Sequence, residues 1–224
     1  MRLIWDVPTR LFHWLLVIAI VGQWLTAEIL EDAMQWHFYI GYFTLGLVAF
    51  RLCWGVIGTR YAKFSQFVTT PSTTISYART MLDKNATPHA GHNPMGGWMV
   101  VIMLVILLAQ AISGLFMTDD IFLDGPYYSA VSQEVASLMS TIHHRGFTII
   151  QGVVLLHILA VVFYVIYKRQ PLISAMIHGK KSTEEPAIAH SKWLLALAVV
   201  VVVALIVYYL VAVAPPVQEL EEYY

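Results

Sequence analysis

Apolar residues are concentrated in five long runs, and polar stretches separate each run from the next. A helix needs about 20 apolar residues to cross the hydrocarbon core of a bilayer, and each run approaches or exceeds that length. The pattern predicts five transmembrane helices, at residues 11–27, 36–56, 98–117, 142–167 and 193–213. We therefore expect an all-α fold, an integral membrane helical bundle that crosses the bilayer five times.

Composition supports this fold class. Of the 224 residues, 58% are hydrophobic and only 12% are charged, whereas about a quarter of the residues in a soluble domain carry a charge. No small-residue cleavage site follows the first apolar run, so we interpret that run as a retained helix rather than a signal peptide. The single cysteine, Cys53, cannot form an internal disulfide and does not indicate the redox compartment.

The basic residues predict the orientation in the membrane. Five crossings place the two termini on opposite sides, and of the 13 basic residues only Arg145 falls at the face opposite the N-terminus. Cytoplasmic segments of membrane proteins are enriched in Lys and Arg. We therefore expect a multi-pass protein of the bacterial inner membrane, with a cytoplasmic N-terminus and a periplasmic C-terminus.

Acidic residues collect on the predicted periplasmic face. They are Glu28, Glu31, Asp32, Asp119, Asp120, Asp124, Glu134, Glu219, Glu221 and Glu222. Two interpretations stay open. The acids are free to lie there because the topology rule concerns Lys and Arg alone, or they form a docking surface that steers a basic partner.

Three regions are predicted along the chain. Residues 1–170 form a four-helix core, residues 171–192 a basic cytoplasmic loop, and residues 193–224 a fifth helix with an acidic periplasmic tail. The fifth helix contains no charged residue and is expected to face lipid. A short surface helix at 131–139 is expected before the fourth membrane helix.

Histidines lie inside or at the ends of the predicted membrane helices. Polar groups at membrane depth are costly and usually functional, although a single such histidine is more often an interhelical hydrogen bond. On the fourth helix, His143 and His157 share one face, about 40° from alignment and about 21 Å apart along the axis. His144 points elsewhere, about 140° from His157. The separation suits two stacked haems, one in each half of the bilayer, and is too great for one metal site.

Each haem iron then needs a second axial ligand from a neighbouring helix. His37 begins the second helix on the periplasmic side and His13 begins the first on the cytoplasmic side, so we predict the pairs His37 with His143 and His13 with His157. The second pair requires either that the fourth helix projects beyond the membrane or that the first helix begins before Arg10. Two imidazoles saturate the iron, so such a centre transfers electrons and performs no bond chemistry.

Two arginines are candidate partners for the haem propionates. Arg51 follows His37 by 14 residues, which places it on the same face at about the depth of the second haem. A buried arginine needs an anion, and Arg145 could serve in the same way on the other side. The alternative for Arg51 is that its side chain extends to the cytoplasmic headgroups.

Several stretches of the chain match a known family. They are residues 5–14 (WDVPTRLFHW), 37–41 (HFYIG), 50–55 (FRLCWG), 58–64 (GTRYAKF) and 91–94 (GHNP). Together with His143 and His157, they resemble the bacterial cytochrome b561 family, in the branch that includes the cytochrome b subunits of nickel–iron hydrogenases. The resemblance covers about residues 1–170.

The resemblance implies a four-helix bundle with two bis-histidine haems b and quinone-linked electron transfer. It implies the same four ligands, His13, His37, His143 and His157. Arg10 and His92 lie in matching stretches and join the candidate haem-contacting residues. His92 could bond a propionate, line a quinone pocket or compete with His13 as a ligand. The fifth helix and the tail after residue 216 depart from the family pattern, which leaves the partner and a homo-oligomer open.

Three functions are weighed. The first is an electron-transfer cytochrome with two haems b, and a quinone as a further ligand, that links the quinone pool to a periplasmic redox partner such as a c-type cytochrome. Whether this amounts to quinol oxidoreductase activity stays open. The second is the haem b membrane anchor of a hydrogenase-like or other oxidoreductase complex. The third, a proton or metal transporter, lacks the repeated halves and broken helices of many transporters. Membrane lipid surrounds the bundle, and no nucleic-acid partner is expected.

Overall fold

The computed structural model describes residues 1–83, 88–119, 121 and 123–216, so the predicted acidic tail after residue 216, Lys84 and Asp120 lie outside the described residues. The elements in chain order are β1 (Arg2–Leu3), α1 (Val7–Glu28), α2 (Met34–Ile57), α3 (Phe64–Phe67), α4 (Pro71–Arg79), α5 (Pro94–Gly114), α6 (Gln133–Ile166), α7 (Leu172–His178), β2 (Lys180–Lys181) and α8 (Trp193–Tyr208). Short 3₁₀ turns lie at Arg60–Ala62 and Tyr128–Ala130, and a π-helical turn at Tyr209–Val213 continues α8.

Five of the described helices, α1, α2, α5, α6 and α8, are long and apolar enough to cross a membrane. The predicted all-α membrane bundle is therefore confirmed, and the protein crosses the membrane several times. Below, the N-terminal end of the bundle is the end at which α1 begins, and the opposite end is the end at which α1 finishes.

The first helix begins earlier than predicted. The side chain of Asp6 accepts a hydrogen bond from the backbone N–H of Thr9 at 2.6 Å, and Pro8 lies in the first turn. A capping carboxylate satisfies a backbone donor that the helix cannot pair, and proline is well tolerated in a first turn. Pairing of His13 with His157 required either that the fourth helix projects beyond the membrane or that the first helix begins before Arg10. The structure meets the second condition, because α1 begins at Val7.

The prediction of a separate surface helix at 131–139 is wrong. The structure continues it into the membrane as one helix, α6, of 34 residues. At 1.5 Å per residue this helix is about 51 Å long, well beyond the roughly 30 Å of a bilayer core. The polar residues near its start do not break it, because neither glycine nor proline occurs between Gln133 and Arg145.

The helices pack as two pairs. Helix α1 packs on α2, α5 packs on α6, and the contact between α2 and α5 joins the pairs. Within the described residues α1 and α6 make no extensive direct contact, so a space remains between the pairs. Helix α8 packs against α2 and buries Ala196, Val199 and Val203 in the common core, while Leu194 and Leu197 stay exposed.

The predicted cytoplasmic loop at 171–192 is folded. Strand β2 pairs antiparallel with β1, with Arg2 opposite Lys181. Gly179 ends α7 with a φ of 79°, a conformation that favours glycine, and its carbonyl accepts hydrogen bonds from the N–H groups of Ile4 and Trp5 at 2.8 and 3.0 Å. Ala175 and Lys181 are buried. This segment therefore forms a layer across the N-terminal end of the bundle.

Candidate haem-binding site

Two histidines face each other across the space between the helix pairs. His37 lies in the first turn of α2, and His143 lies on α6. Their ring centroids are 6.3 Å apart, and the ring planes are nearly perpendicular, at 79°. An imidazole nitrogen binds a metal at about 2 Å and the ring centroid lies about 1 Å beyond it, so two opposed imidazoles on one metal have centroids about 6 Å apart. The pair fits a bis-histidine metal centre.

The outer nitrogen of each ring is held by a backbone carbonyl of the adjacent helix. Nδ1 of His37 lies 3.3 Å from the carbonyl oxygen of Gln23, and Nδ1 of His143 lies 3.1 Å from that of Gln110. A hydroxyl group lies close to each Nδ1 as well, from Thr26 at 3.3 Å and Ser113 at 3.2 Å. Because a carbonyl can only accept, Nδ1 donates in both rings and Nε2 keeps a lone pair for a metal.

A cavity of about 850 Å³ surrounds this pair at the opposite end of the bundle. Its lining is largely apolar and includes Phe38, Leu107 and Phe147 besides the two histidines, and its volume is that of a typical cofactor or ligand pocket. An added Cβ at residue 114 would lie 3.1 Å from Cε1 of His143. The absence of a side chain at Gly114 therefore leaves room for the ring of His143.

His144, next to His143, is placed differently. Its side chain is exposed, and its Nδ1 lies 2.8 Å from the carbonyl of Ser140, one turn earlier in the same helix. The ring contact with His37 is made by His143. The neighbouring histidine borders the cavity, but its hydrogen bond holds it to its own helix.

A second histidine pair lies towards the N-terminal end. His13 on α1 and His157 on α6 are close enough to interact electrostatically. Nδ1 of His13 is buried and has no hydrogen-bond partner among the described residues. Neither of these histidines lines the large cavity. The two pairs therefore lie apart, one nearer each end of the bundle.

Arg51 is buried near the N-terminal end of the bundle. It is only 2% exposed, and its Cζ lies 5.0 Å from the ring centroid of Phe64, so the alternative that its side chain extends to the headgroups is wrong. Its terminal nitrogen Nη1 has no hydrogen-bond partner among the described residues. The carboxylate whose charge acts on it, Asp6, already accepts hydrogen bonds from Trp54 and Thr59. A buried guanidinium in this state fits an anionic ligand.

His92 adjoins Arg51 in the turn before α5. Its ring packs on Trp5 and Phe67, with centroid separations of 4.8 and 4.5 Å, and its Nδ1 is buried without a partner among the described residues. Burial first, and then the positive charges of Arg51 and Lys181, lower the pKa of His92 to about 3. The ring is therefore neutral.

The comparisons with known proteins decide the family. A sequence model of the prokaryotic cytochrome b561 family matches residues 4–179. This chain belongs to that family. The cytochrome therefore binds haem b and transfers electrons, in agreement with the two histidine pairs. No solved structure matches the chain.

Two curated relatives resemble the cytochrome over most of its length. A probable Ni/Fe-hydrogenase B-type cytochrome subunit of Rhizobium leguminosarum bv. viciae is 24% identical in an alignment of 215 residues, gaps included, that covers 80% of this chain and 87% of the relative. A protein of the same description from Cupriavidus necator is 24% identical in an alignment of 214 residues that covers 81% of this chain and 87% of the relative.

Two further arginines of the cytochrome, Arg10 and Arg145, are candidate propionate partners, and Nε of Arg10 is buried without a hydrogen-bond partner among the described residues. Arg10 donates a hydrogen bond to the carbonyl of Ile177, at the end of α7. Arg145 is exposed on α6 and does not line the large cavity. Their predicted contacts with haem propionates stay predictions.

The sequence reasoning missed the carbonyls that hold His37 and His143. A signal was present, because Gln23 and Gln110 are polar residues inside otherwise apolar helices. The groups used are backbone oxygens, however, and every residue has one. Only the packing of α1 on α2 and of α5 on α6 selects the carbonyls that meet a ring.

Proposed function

We propose that this cytochrome carries electrons across the bacterial inner membrane through two haems b. His37 and His143 hold one haem, and His13 and His157 hold the other. The observation that carries the proposal is the opposed pair His37 and His143, 6.3 Å apart, with Nδ1 of each ring held by a carbonyl.

A haem iron bound by two imidazoles supplies reversible one-electron transfer with no coordination position open to substrate. The residues of the chain hold and insulate that group. The carbonyls of Gln23 and Gln110 fix the orientation of the His37 and His143 rings. The same hydrogen bonds make the imidazoles better ligands. Apolar side chains such as Phe38 and Phe147 line the cavity and exclude water.

The spacing of the ligands on α6 suits transfer across the bilayer. His143 and His157 are about 21 Å apart along the helix axis, which is most of the roughly 30 Å bilayer core. The distribution of basic residues supports a cytoplasmic N-terminal end. The pair His37 and His143 is then periplasmic, and electrons pass between the quinone pool and a periplasmic redox partner such as a c-type cytochrome.

A second candidate function is that of a fixed membrane subunit in a larger redox complex. Its support is that both curated relatives bear the name of a hydrogenase cytochrome subunit. Size-exclusion chromatography of native membranes solubilised in a mild detergent distinguishes the two candidate functions. A free carrier elutes alone or as a homo-oligomer, whereas a fixed subunit elutes with a redox enzyme in constant proportion.

The test is electron transfer into sealed vesicles. Proteoliposomes that contain ferricyanide are given a soluble quinol outside, and the absorbance of the trapped ferricyanide is followed. We expect reduction with the wild type and with the matched control His144→Ala, and none with His143→Ala or His157→Ala. Transfer that persists in either of the last two variants would contradict a path through both haems.

A further inference from the structure

Lys181 is a buried cation in the layer across the N-terminal end. It is 6% exposed, whereas its neighbour in β2, Lys180, is exposed. Successive side chains of a strand point to opposite faces, so one lysine points inward and the other outward. The family match ends at residue 179, and Lys181 therefore lies beyond the matched part of the chain.

The ammonium group of Lys181 has little compensation within the described residues. Nζ donates one hydrogen bond, to the carbonyl of His89 at 2.7 Å, although an ammonium group has three donors. The salt bridge between described side chains is formed elsewhere, by Arg60 and Glu185. Burial lowers the pKa of Lys181 to about 8. Buried charges are normally paired, so the site lacks an anion.

Lys181 and Arg51 act on the same histidine. The charges of both residues reach His92, as do those of His157 and His13. Contacts also link the two cations to this histidine. Nζ of Lys181 bonds the carbonyl of His89, three residues before His92, and the ring of Phe67 lies 4.5 Å from the ring of His92 and 5.9 Å from Cζ of Arg51. Within the described residues, Nη1 of Arg51 has no hydrogen-bond partner and no carboxylate acts on Lys181.

We propose that Lys181 and Arg51 together bind a carboxylate, and that this carboxylate is a propionate of the haem held by His13 and His157. The inference rests on the proposed second haem and deepens it. Arginine supplies a planar fork that can bind both carboxylate oxygens, and lysine adds a point charge. Lys181 is then a positioning residue, which would bind the haem through a propionate and act on the iron through its charge.

A positive charge near the iron favours the reduced state, because reduction lowers the positive charge of the centre. Removal of the Lys181 charge therefore lowers the midpoint potential of the haem at the N-terminal end. We expect the reduction equilibrium of that haem to shift about tenfold, which is about 59 mV for a one-electron couple. The other haem lies at the far end of the bundle and keeps its potential.

The experiment is redox potentiometry of the purified full-length cytochrome with its haems. Lys181→Gln is compared with Lys181→Arg, which keeps the charge, and with Lys180→Gln, which removes the adjacent exposed charge. We expect a lower potential of one haem in Lys181→Gln alone. Loss of that haem from Lys181→Gln, with retention in Lys181→Arg, supports the same requirement for charge.

Three results overturn the assignment. The first is unchanged potentials in Lys181→Gln with both haems present. The second is an equal shift in Lys180→Gln, which would be a general effect of surface charge. The third is loss of a haem from both Lys181→Gln and Lys181→Arg, which would make the lysine structural. A wild type with one haem is a different failure, because it refutes the proposed second haem itself.

A free carboxylate is the other source of this ligand chemistry. Wild type and Lys181→Gln are therefore titrated with potassium formate at constant ionic strength. Potentials of the wild type that do not depend on formate support the propionate. A potential that changes with formate in the wild type, and not in Lys181→Gln, assigns the site to a free anion and overturns the proposal.

Discussion

The two histidine pairs have the same ligand chemistry but different surroundings. His37 and His143 border an open, largely apolar cavity, and neutral carbonyls hold their rings. His13 and His157 lie beneath a folded layer, in a neighbourhood that contains the buried cation Arg51. If each pair holds a haem as proposed, the two haems should have different potentials, because charge and burial around a haem set its potential.

The largest expected effect separates the two sites completely. We predict that His143→Ala and His157→Ala each remove one haem, and that each removes a different component of the redox titration. The reason is that each iron loses one of two protein ligands while the other pair stays intact. Optical potentiometry of both variants beside the wild type checks this. Removal of the same component by both variants would show that the histidines serve one site.

The next effect is expected only at the N-terminal end. We predict that Arg51→Leu lowers the potential of that haem by more than about 59 mV, a tenfold shift in its reduction equilibrium. Arg60→Leu is the control, because Arg60 is exposed and its ion pair with Glu185 is a surface one. A shift of the other haem in Arg51→Leu would refute the separation of the two sites.

A third prediction concerns only the opposite end. Gly114→Ala places a Cβ 3.1 Å from Cε1 of His143, and crowding of this kind typically costs about 1–3 kcal/mol. We expect an altered low-temperature spectrum of the haem at that end and a lower thermal midpoint. Gly152→Ala is the matched control, since no atom of the described residues, apart from the backbone of its own helix, lies within 4 Å of its added Cβ. Equal behaviour of the two variants would contradict the tight contact with His143.

The smallest effect has the opposite sign. Asp6→Asn keeps a good capping residue for α1 but removes the negative charge that acts on Arg51. We predict that the potential of the haem at the N-terminal end rises by less than about 59 mV. Redox titration together with a thermal melt distinguishes this from unfolding. A fall in that potential would mean that Asp6 does not oppose the positive charge of Arg51.

The helices were largely predictable because their signals are local. An apolar run of bilayer length identifies each membrane helix, and the observed spans agree with the prediction to within a few residues at most ends. The larger error, at the start of α6, arose because its first three turns mix polar with apolar residues, and no glycine or proline separates them from the membrane part.

The candidate site was predictable only in part. The periodicity of α6 relates His143 to His157, but their surroundings depend on residues that are distant in sequence. Strand β2 has two residues and forms only by pairing with β1, so no local pattern indicates that Lys181 is buried. The fold of the 171–192 segment has the same origin, since backbone groups near the N-terminus complete its hydrogen bonds.

The central claim, two haems in two separate sites, is tested most directly by the haem content per chain. Pyridine haemochrome analysis of purified wild type, His143→Ala and His144→Ala gives that number. We expect two haems b in the wild type, one in His143→Ala and two in His144→Ala. One haem in the wild type, or loss of haem from His144→Ala instead of His143→Ala, would contradict it.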